Sequence, residues 1–194
     1  MEIKKYQGRT LSGVTVENKI LKNHVFEECT LENCSFINTT LKDSKFDNCK
    51  FVNCRVVDVT NEGTDFKECV FEKCNLLSVD WTNLFTRNGV LPSVRKMTNC
   101  CLKYVIIKRV NFGKFDFSTN DLVECTFSDC RLTGANFRGC NLKLTEFMRC
   151  DVACADFTNA HGYQVEITSC KLKDAKFSFP EAMNLLNGLG IKIE

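Results

Sequence analysis

Several things are nearly missing from this sequence, and each absence narrows the reading. No stretch is apolar enough to cross a membrane, and the opening residues MEIKKYQGRT lack the apolar core of a secretory leader. The expectation is a cytoplasmic protein with no membrane association. Charge of one sign is missing as well. Formal charge is +2, with 12 basic and 13 acidic residues up to Val90 and 14 and 11 after it. That balance leaves no basic footprint for nucleic acid. Proline is down to two residues and histidine to two, and no phosphate-binding glycine loop, nucleophile elbow or paired-carboxylate motif stands out. With 44% hydrophobic and 26% charged residues the chain is still not a disordered one.

What is present in excess is phenylalanine, at sixteen, and cysteine, at fourteen, and both are periodic. Steps of five from Tyr6 land on Leu11, Val16, Leu21, Phe26 and so on to Trp81. Fifteen of these sixteen positions are large and apolar, Asn61 being the exception, where composition alone gives about seven. A second run, one residue out of step, goes from Leu102 through Ile107 and Phe112 to Phe177 and is broken only at Gly162. Twelve cysteines sit two residues before a centre, in a slot shared with Val14, Val59, Val79, Ala135, Ala155, Ala160 and Ala175.

A five-residue period fits neither a helix nor a flat strand. Two inward residues in five suit a short extended segment followed by a corner, repeated into a coil whose turns stack like parallel strands. The pattern resembles the pentapeptide-repeat proteins, whose consensus is Ala-Asp/Asn-Leu-x-x; Ala135-Asn136-Phe137-Arg138-Gly139 and Ala155-Asp156-Phe157-Thr158-Asn159 are close copies. The resemblance spans Leu11 to Phe177. It implies an all-β fold, a right-handed quadrilateral parallel β-helix with four pentapeptides per coil. Residues twenty apart would then lie about 4.8 Å above one another, stacking Phe26, Phe46 and Phe66 in one column and Phe117, Phe137, Phe157 and Phe177 in another. Thirty-two centres make about eight coils, a rod of about 35–40 Å.

The single domain 1–194 divides into a first run (11–82), a central break (83–99), a second run (100–178) and a short C-terminal α-helix (180–189). The break, with Gly89 and Pro92, reads as a projecting loop, an irregular coil or a simple repair of register; as a loop it would offer Arg87, Asn88, Arg95 and Lys96 to a partner. Asn61 and Gly162 read as local bulges. In the tail, Ala182, Leu185, Leu186 and Leu189 share one helical face, which either caps the last coil or forms a dimer contact.

That tail, Lys176-Phe-Ser-Phe-Pro180 followed by Leu185-Leu186 and Gly190-Ile191, resembles the ending of the quinolone-resistance pentapeptide proteins (Qnr) and the microcin immunity protein. The resemblance implies a homodimer through the C-terminal helix and, as partner, DNA gyrase or topoisomerase IV, protected from toxins or quinolones. The near-neutral charge departs from the acidic, DNA-like members. A scaffold or interaction module with an unrelated partner is the alternative. No enzyme activity, cofactor or metal is expected. Cysteines such as Cys29 and Cys34 fall on different walls, and those twenty apart point in parallel, unlike converging zinc ligands; they read as small buried hydrophobes. His24 takes an inward slot as a satisfied core residue and His161 the surface. Cys101 and Cys154, outside the inward slots, are the candidate reactive thiols.

Overall fold

The computed structural model describes residues 3–79, 81 and 93–189. They form a parallel β-solenoid of about eight turns. Successive coils pair twenty residues apart, Tyr6 with Phe26 and Phe26 with Phe46. Each full coil has four short segments, and like segments stack into four columns, A to D in chain order. Column A starts at Lys4–Gln7, B at Thr10–Ser12, C at Thr15–Glu17 and D at Ile20–Lys22.

The ring columns stack as the spacing predicts. In column A, Phe26 and Phe46 are 4.7 Å apart and Phe46 and Phe66 4.8 Å. In column B, Phe117, Phe137, Phe157 and Phe177 follow at 4.8 to 5.0 Å. Corners turn two residues after each centre through a left-handed residue, mostly Asn, Asp or Gly, for example Asn33, Asn53 and Gly134. These residue types tolerate positive φ at least cost.

Up to Leu77 every segment is extended, and the rungs bond coil to coil: the Thr30 amide donates to the Arg9 carbonyl and the Gly13 amide to Glu32. Columns A and B change form from Asn111 onward. There the residue before the centre is often Asn or Asp, whose side chain accepts the amide just after the centre: Asn111 takes Gly113, Asp116 takes Ser118 and Asn136 takes Arg138. This Asx turn diverts the amide from the ladder. The centre carbonyl then accepts the amide three residues on, as Phe117 does from Asn120 and Phe137 from Cys140; Leu132 accepts the Ala135 amide in the same way although Arg131 precedes it.

That switch decides what occupies the inward slot two residues before a centre. After an extended segment the slot amide has no rung partner and takes the slot side chain of the next coil. Cys74 donates to Cys100 Sγ, Cys100 to Asn120 Oδ1, Cys125 to Thr145 Oγ1 and Cys150 to Cys170 Sγ. The same side chains donate back to a centre carbonyl one coil earlier, Cys54 to Leu31 and Thr145 to Leu122. A thiol or hydroxyl thus answers an otherwise orphaned buried amide. After a turn the amide is satisfied within the turn, and alanine suffices: Ala135, Ala155, Ala160 and Ala175 all follow turns. Val59, Val79, Val105 and Val110 fill slots without such a donor.

Three irregularities interrupt the stack. The coil that includes the central break spans 26 residues, since Phe71 pairs with Met97 and Leu76 with Leu102; the six extra residues produce the one-residue shift of frame. Asn61 is no bulge: it pairs in register with Leu41, and its side chain closes the corner by accepting the Thr64 amide and donating to the Thr64 carbonyl. Near Gly162 the coil shortens by two, so Val165, not Ile167, stacks on Phe147. Gly162 has φ +76, and a Cβ there would come within 2.8 Å of the Lys143 backbone.

The tail corrects one expectation. Glu181–Leu189 is a 3-10 helix rather than an α-helix. Leu185 packs on the interior cluster, and the Glu181 carboxylate accepts the Gly162 amide and the Asn184 side chain. The helix therefore lies against the last full coil.

Candidate functional site

A stack of coils offers walls rather than a cleft. The Phe and Leu centres are spent on the interior, so specificity falls to the outward residues. Those on columns A, B and D pair charge from coil to coil, Lys5 with Glu27, Lys67 with Asp47, Lys50 with Glu72, Lys42 with Glu62 and Arg149 with Asp129, and Lys45 pairs with Asp47 within its own segment. The groups are largely exposed to solvent, which screens them, so the pairs add little to stability. Their main effect is to neutralise the walls, and the surface is mixed in sign.

Arg87 and Asn88 lie outside the described residues. Arg95 and Lys96 are not in a loop: they stand exposed on the strand Val94–Thr98 in column B, whose Val94 and Met97 are buried. Arg95 borders a shallow depression with Glu27, Glu28, Asp47, Lys67 and Glu68. In the tail, Ala182, Leu185 and Leu186 are half-buried and Leu189 is 51% exposed. Phe179, absent from the sequence-derived set, is 82% exposed beside them.

The thiols are placed for packing. All fourteen cysteines are free, and eleven are buried. Burial pushes the Cys49, Cys69, Cys125 and Cys140 thiols up to about 12, which disfavours the reactive thiolate. Cys101 and Cys154 are exposed, and partial burial followed by the charge of Asp121 raises Cys101 too. Among the described residues no three His, Cys, Asp or Glu side chains converge as metal ligands. No described helix is long and apolar enough to cross a membrane. His24 is half-buried in its inward slot beside the stacked Tyr6 and Phe26 rings, but its Nδ1 has no hydrogen-bond partner among the described residues, so it is not a satisfied core histidine.

The interior differs along the rod. Before the break a cavity of about 50 Å³ lies between Phe46, Phe66, Phe51, Phe71, Val56 and Trp81. After it, rings of columns B and D meet edge to face, Phe137 5.4 Å from Phe147 and Phe117 5.9 Å from Phe127.

With this geometry in hand, comparison with known proteins is specific as to fold. Residues 96–177 match the family model described as pentapeptide repeat region, and residues 4–92 the model described as SV2A/B/C luminal domain. No curated protein sequence matches the chain. A trypsin-treated single-residue variant of QnrB1, a plasmid-mediated fluoroquinolone resistance protein, is similar over 95% of this chain and 100% of its own, at 19% identity and a TM-score of 0.53. HetL from the cyanobacterium Nostoc, a pentapeptide repeat protein involved in heterocyst differentiation regulation, aligns over 90% of this chain and 89% of its own, at 16% identity and a TM-score of 0.29. A pentapeptide repeat protein of the Arabidopsis thaliana thylakoid lumen aligns over 57% of this chain and 66% of its own, at 21% identity and a TM-score of 0.36. The five-residue unit recurs from Tyr6 to Phe177, residues 96–177 match the pentapeptide-repeat model, and the chain has the fold of a pentapeptide-repeat solenoid.

Proposed function

We propose that this protein works without catalysis, as a rod that binds another protein, and that its partner is DNA gyrase or topoisomerase IV, which it protects from a toxin or quinolone. The observation that carries the reading is the end-to-end correspondence of fold with QnrB1, over 95% of one chain and 100% of the other. The six-residue enlargement of the central coil supports it by giving the rod one place where a wall can depart from the regular surface. The finer geometry belongs to the same reading: a right-handed quadrilateral coil in the cytoplasm, dimerised through its tail. Exposed Phe179 and Leu189 support that contact.

The ion-paired, mixed surface bears on mechanism. A rod of formal charge +2 does not present the phosphate-like field of DNA, so the contact with a topoisomerase is one of shape and apolar surface. The same observation favours a second reading, a scaffold for an unrelated protein. The test is supercoiling by purified gyrase poisoned with a quinolone. Added protein is expected to restore supercoiled product in a dose-dependent way; no recovery at tenfold excess, with no gyrase retained on immobilised protein, leaves the scaffold reading.

A further inference from the structure

One cysteine does more than pack. Cys130, Cys150 and Cys170 fill the inward slots before the column A centres Leu132, Val152 and Leu172 and stack one above another. Cys130 and Cys150 are buried, whereas Cys170 is half-buried. The bridge from Asp151 to Lys171 is the last of column A among the described residues, so this column of thiols ends where solvent reaches it. The Cys150 amide donates to Cys170 Sγ at 3.3 Å. Each of the two thiols also donates to a carbonyl one coil back, Cys170 to Phe147 and Cys150 to Phe127, both at 3.4 Å. The two side chains therefore repeat one pose a single rung apart, about 4.8 Å.

Access and the placing of the proton separate this pair from the other cysteines. The Cys150 thiol beside it lowers Cys170 below the ordinary thiol range; burial opposes this, and the Cys150 amide and the nearby Ser169 hydroxyl add to it. Cys150 is raised by the Cys130 and Cys170 thiols and by burial, so the proton of the pair stays on Cys150 and the thiolate forms on Cys170. Cys100 and Cys130 are also lowered by a thiol neighbour, but both are buried. Cys101 and Cys154 are exposed, yet neither has a thiol one rung away. Cys101 pairs with Asn75 and Asp121, and Cys154 turns a corner level with Gly134 and Asp174. Among the fourteen cysteines only Cys170 combines an approach from solvent with a second thiol directly behind it.

A thiolate is oxidised by peroxides, and the sulfenic acid formed condenses with a thiol in reach. A disulfide spans Cα separations of about 4.4–6.8 Å, a range that includes one rung. Parallel stacked Cβ atoms have to draw together for it to close. Between Cys130 and Cys150 that would deform two buried coils, whereas at Cys170 only the last rung has to yield. We infer that Cys170 is the site at which a peroxide oxidises this protein, and that Cys150 resolves the product into a disulfide between the last two rungs of column A. In the first step the Cys170 sulfur attacks a peroxide oxygen. The S–O bond forms as the O–O bond breaks, the sulfur gives up an electron pair to the peroxide, and hydroxide (or an alkoxide) leaves. In the second the Cys150 sulfur attacks that of Cys170. The S–S bond forms, the S–O bond breaks, and the departing hydroxide takes the Cys150 proton as water. This does not depend on the partner being a topoisomerase.

Hydrogen peroxide in small excess over the intact, reduced protein tests this by mass spectrometry. The wild type should lose about 2 Da, and digestion should release the Cys150 peptide linked to the Cys170 peptide. Cys170→Ser keeps an acceptor for the Cys150 amide, as Thr145 provides one for Cys125, and should slow oxidation at least tenfold. Cys150→Ser should leave Cys170 as a sulfenic acid that dimedone traps. Matching circular dichroism and melting curves establish that both variants fold. The wild type alone gives a further readout: iodoacetamide near neutral pH should label Cys170 at least tenfold faster than Cys101 or Cys154. First reaction at Cys101 or Cys154, or unchanged oxidation of Cys170→Ser, overturns the assignment. So does a lasting sulfenic acid in the wild type without the linked peptide, or no oxidation at all.

Discussion

The stretches before and after the central break use one repeat and solve its hydrogen bonding in two ways. Before the break all segments are extended, the inward slots from Cys29 to Val79 carry Cys, Ser, Thr or Val, and the lumen keeps a cavity of about 50 Å³. After it, columns A and B close into turns, alanine enters the slots, and Phe rings of columns B and D interlock edge to face. The difference traces to single residues before the centres. Thr10, Thr30, Thr40 and Thr60 keep their segments extended, while Asn111, Asp116, Asn136 and Asp156 capture a backbone amide. No alanine occurs in the sequence before Ala135. A five-residue unit is therefore two units, told apart by whether the slot amide bonds the centre carbonyl of its own turn or a side chain of the neighbouring coil.

The comparison breaks most visibly at the rings. Phe137 is fully buried, stacked 4.8 Å from both Phe117 and Phe157 and edge-on to Phe147. Phe46 is nearly as buried but borders the cavity. Phe137→Ala is expected to cost about 4 kcal/mol and Phe46→Ala about 3, because a ring beside a void has fewer contacts to lose. Coils in a solenoid interact with their neighbours only. Each substitution should therefore speed amide exchange mainly in its own half, while denaturant unfolding followed at Trp81, buried at the junction, gives the size. Equal losses, or exchange spread evenly over both halves, would erase the contrast.

A smaller effect separates the two slot chemistries. Thr145 Oγ1 accepts the Cys125 amide and donates to the Leu122 carbonyl at 2.6 Å, all fully buried. Thr145→Val preserves the shape and strands both groups, at an expected cost of about 2 kcal/mol. Cys140 follows a turn: its amide bonds Phe137, and its thiol only adds a third donor to a Phe117 carbonyl already paired with the Asn120 amide and side chain. Cys140→Ala should cost about 1 kcal/mol or less beyond its lost volume. If the two melt alike, the slot side chain is filler rather than a hydrogen-bonding device.

The parallel coil and its ring columns were legible in the sequence because a strict period places like residues above one another. Turn type was legible only in principle: the Asn and Asp residues before the centres were on view, but their effect depends on an amide whose alternative partner lies twenty residues away. The two-residue contraction at Gly162 was hidden because Ile167 sits on the period while Val165, off it, does the stacking. The 3-10 geometry of the tail was hidden too, since Ala182, Leu185 and Leu186 satisfy helical spacing in either form. Arg95 and Lys96 were grouped with a loop because a broken frame says that residues were added and not where the wall resumes. It resumes at Val94.

The finest contrast is one of pH. His24 lies in the first part of the rod, its ring 6.2 Å from that of Tyr6 and 6.1 Å from that of Phe26, its amide donating to Ser44 Oγ. Burial holds its imidazole below the ordinary 6.5; the nearby Lys22 backbone opposes this and the charge of Lys4 adds to it. The folded protein therefore prefers the neutral ring. As pH falls through 6.5 the unfolded chain takes up the proton first, so stability present above that pH is lost on the way down and levels off below the folded value. Amides of the first two coils should therefore exchange faster at pH 5 than at pH 7.5 after correction for the intrinsic rate. Amides around Phe137, in the other part of the rod, should show no such change. Replacing His24 with Gln should flatten the response of the first coils. A pH response that survives His24→Gln, or that reaches both halves equally, would place the acid sensitivity in the carboxylates of the ion-paired walls instead.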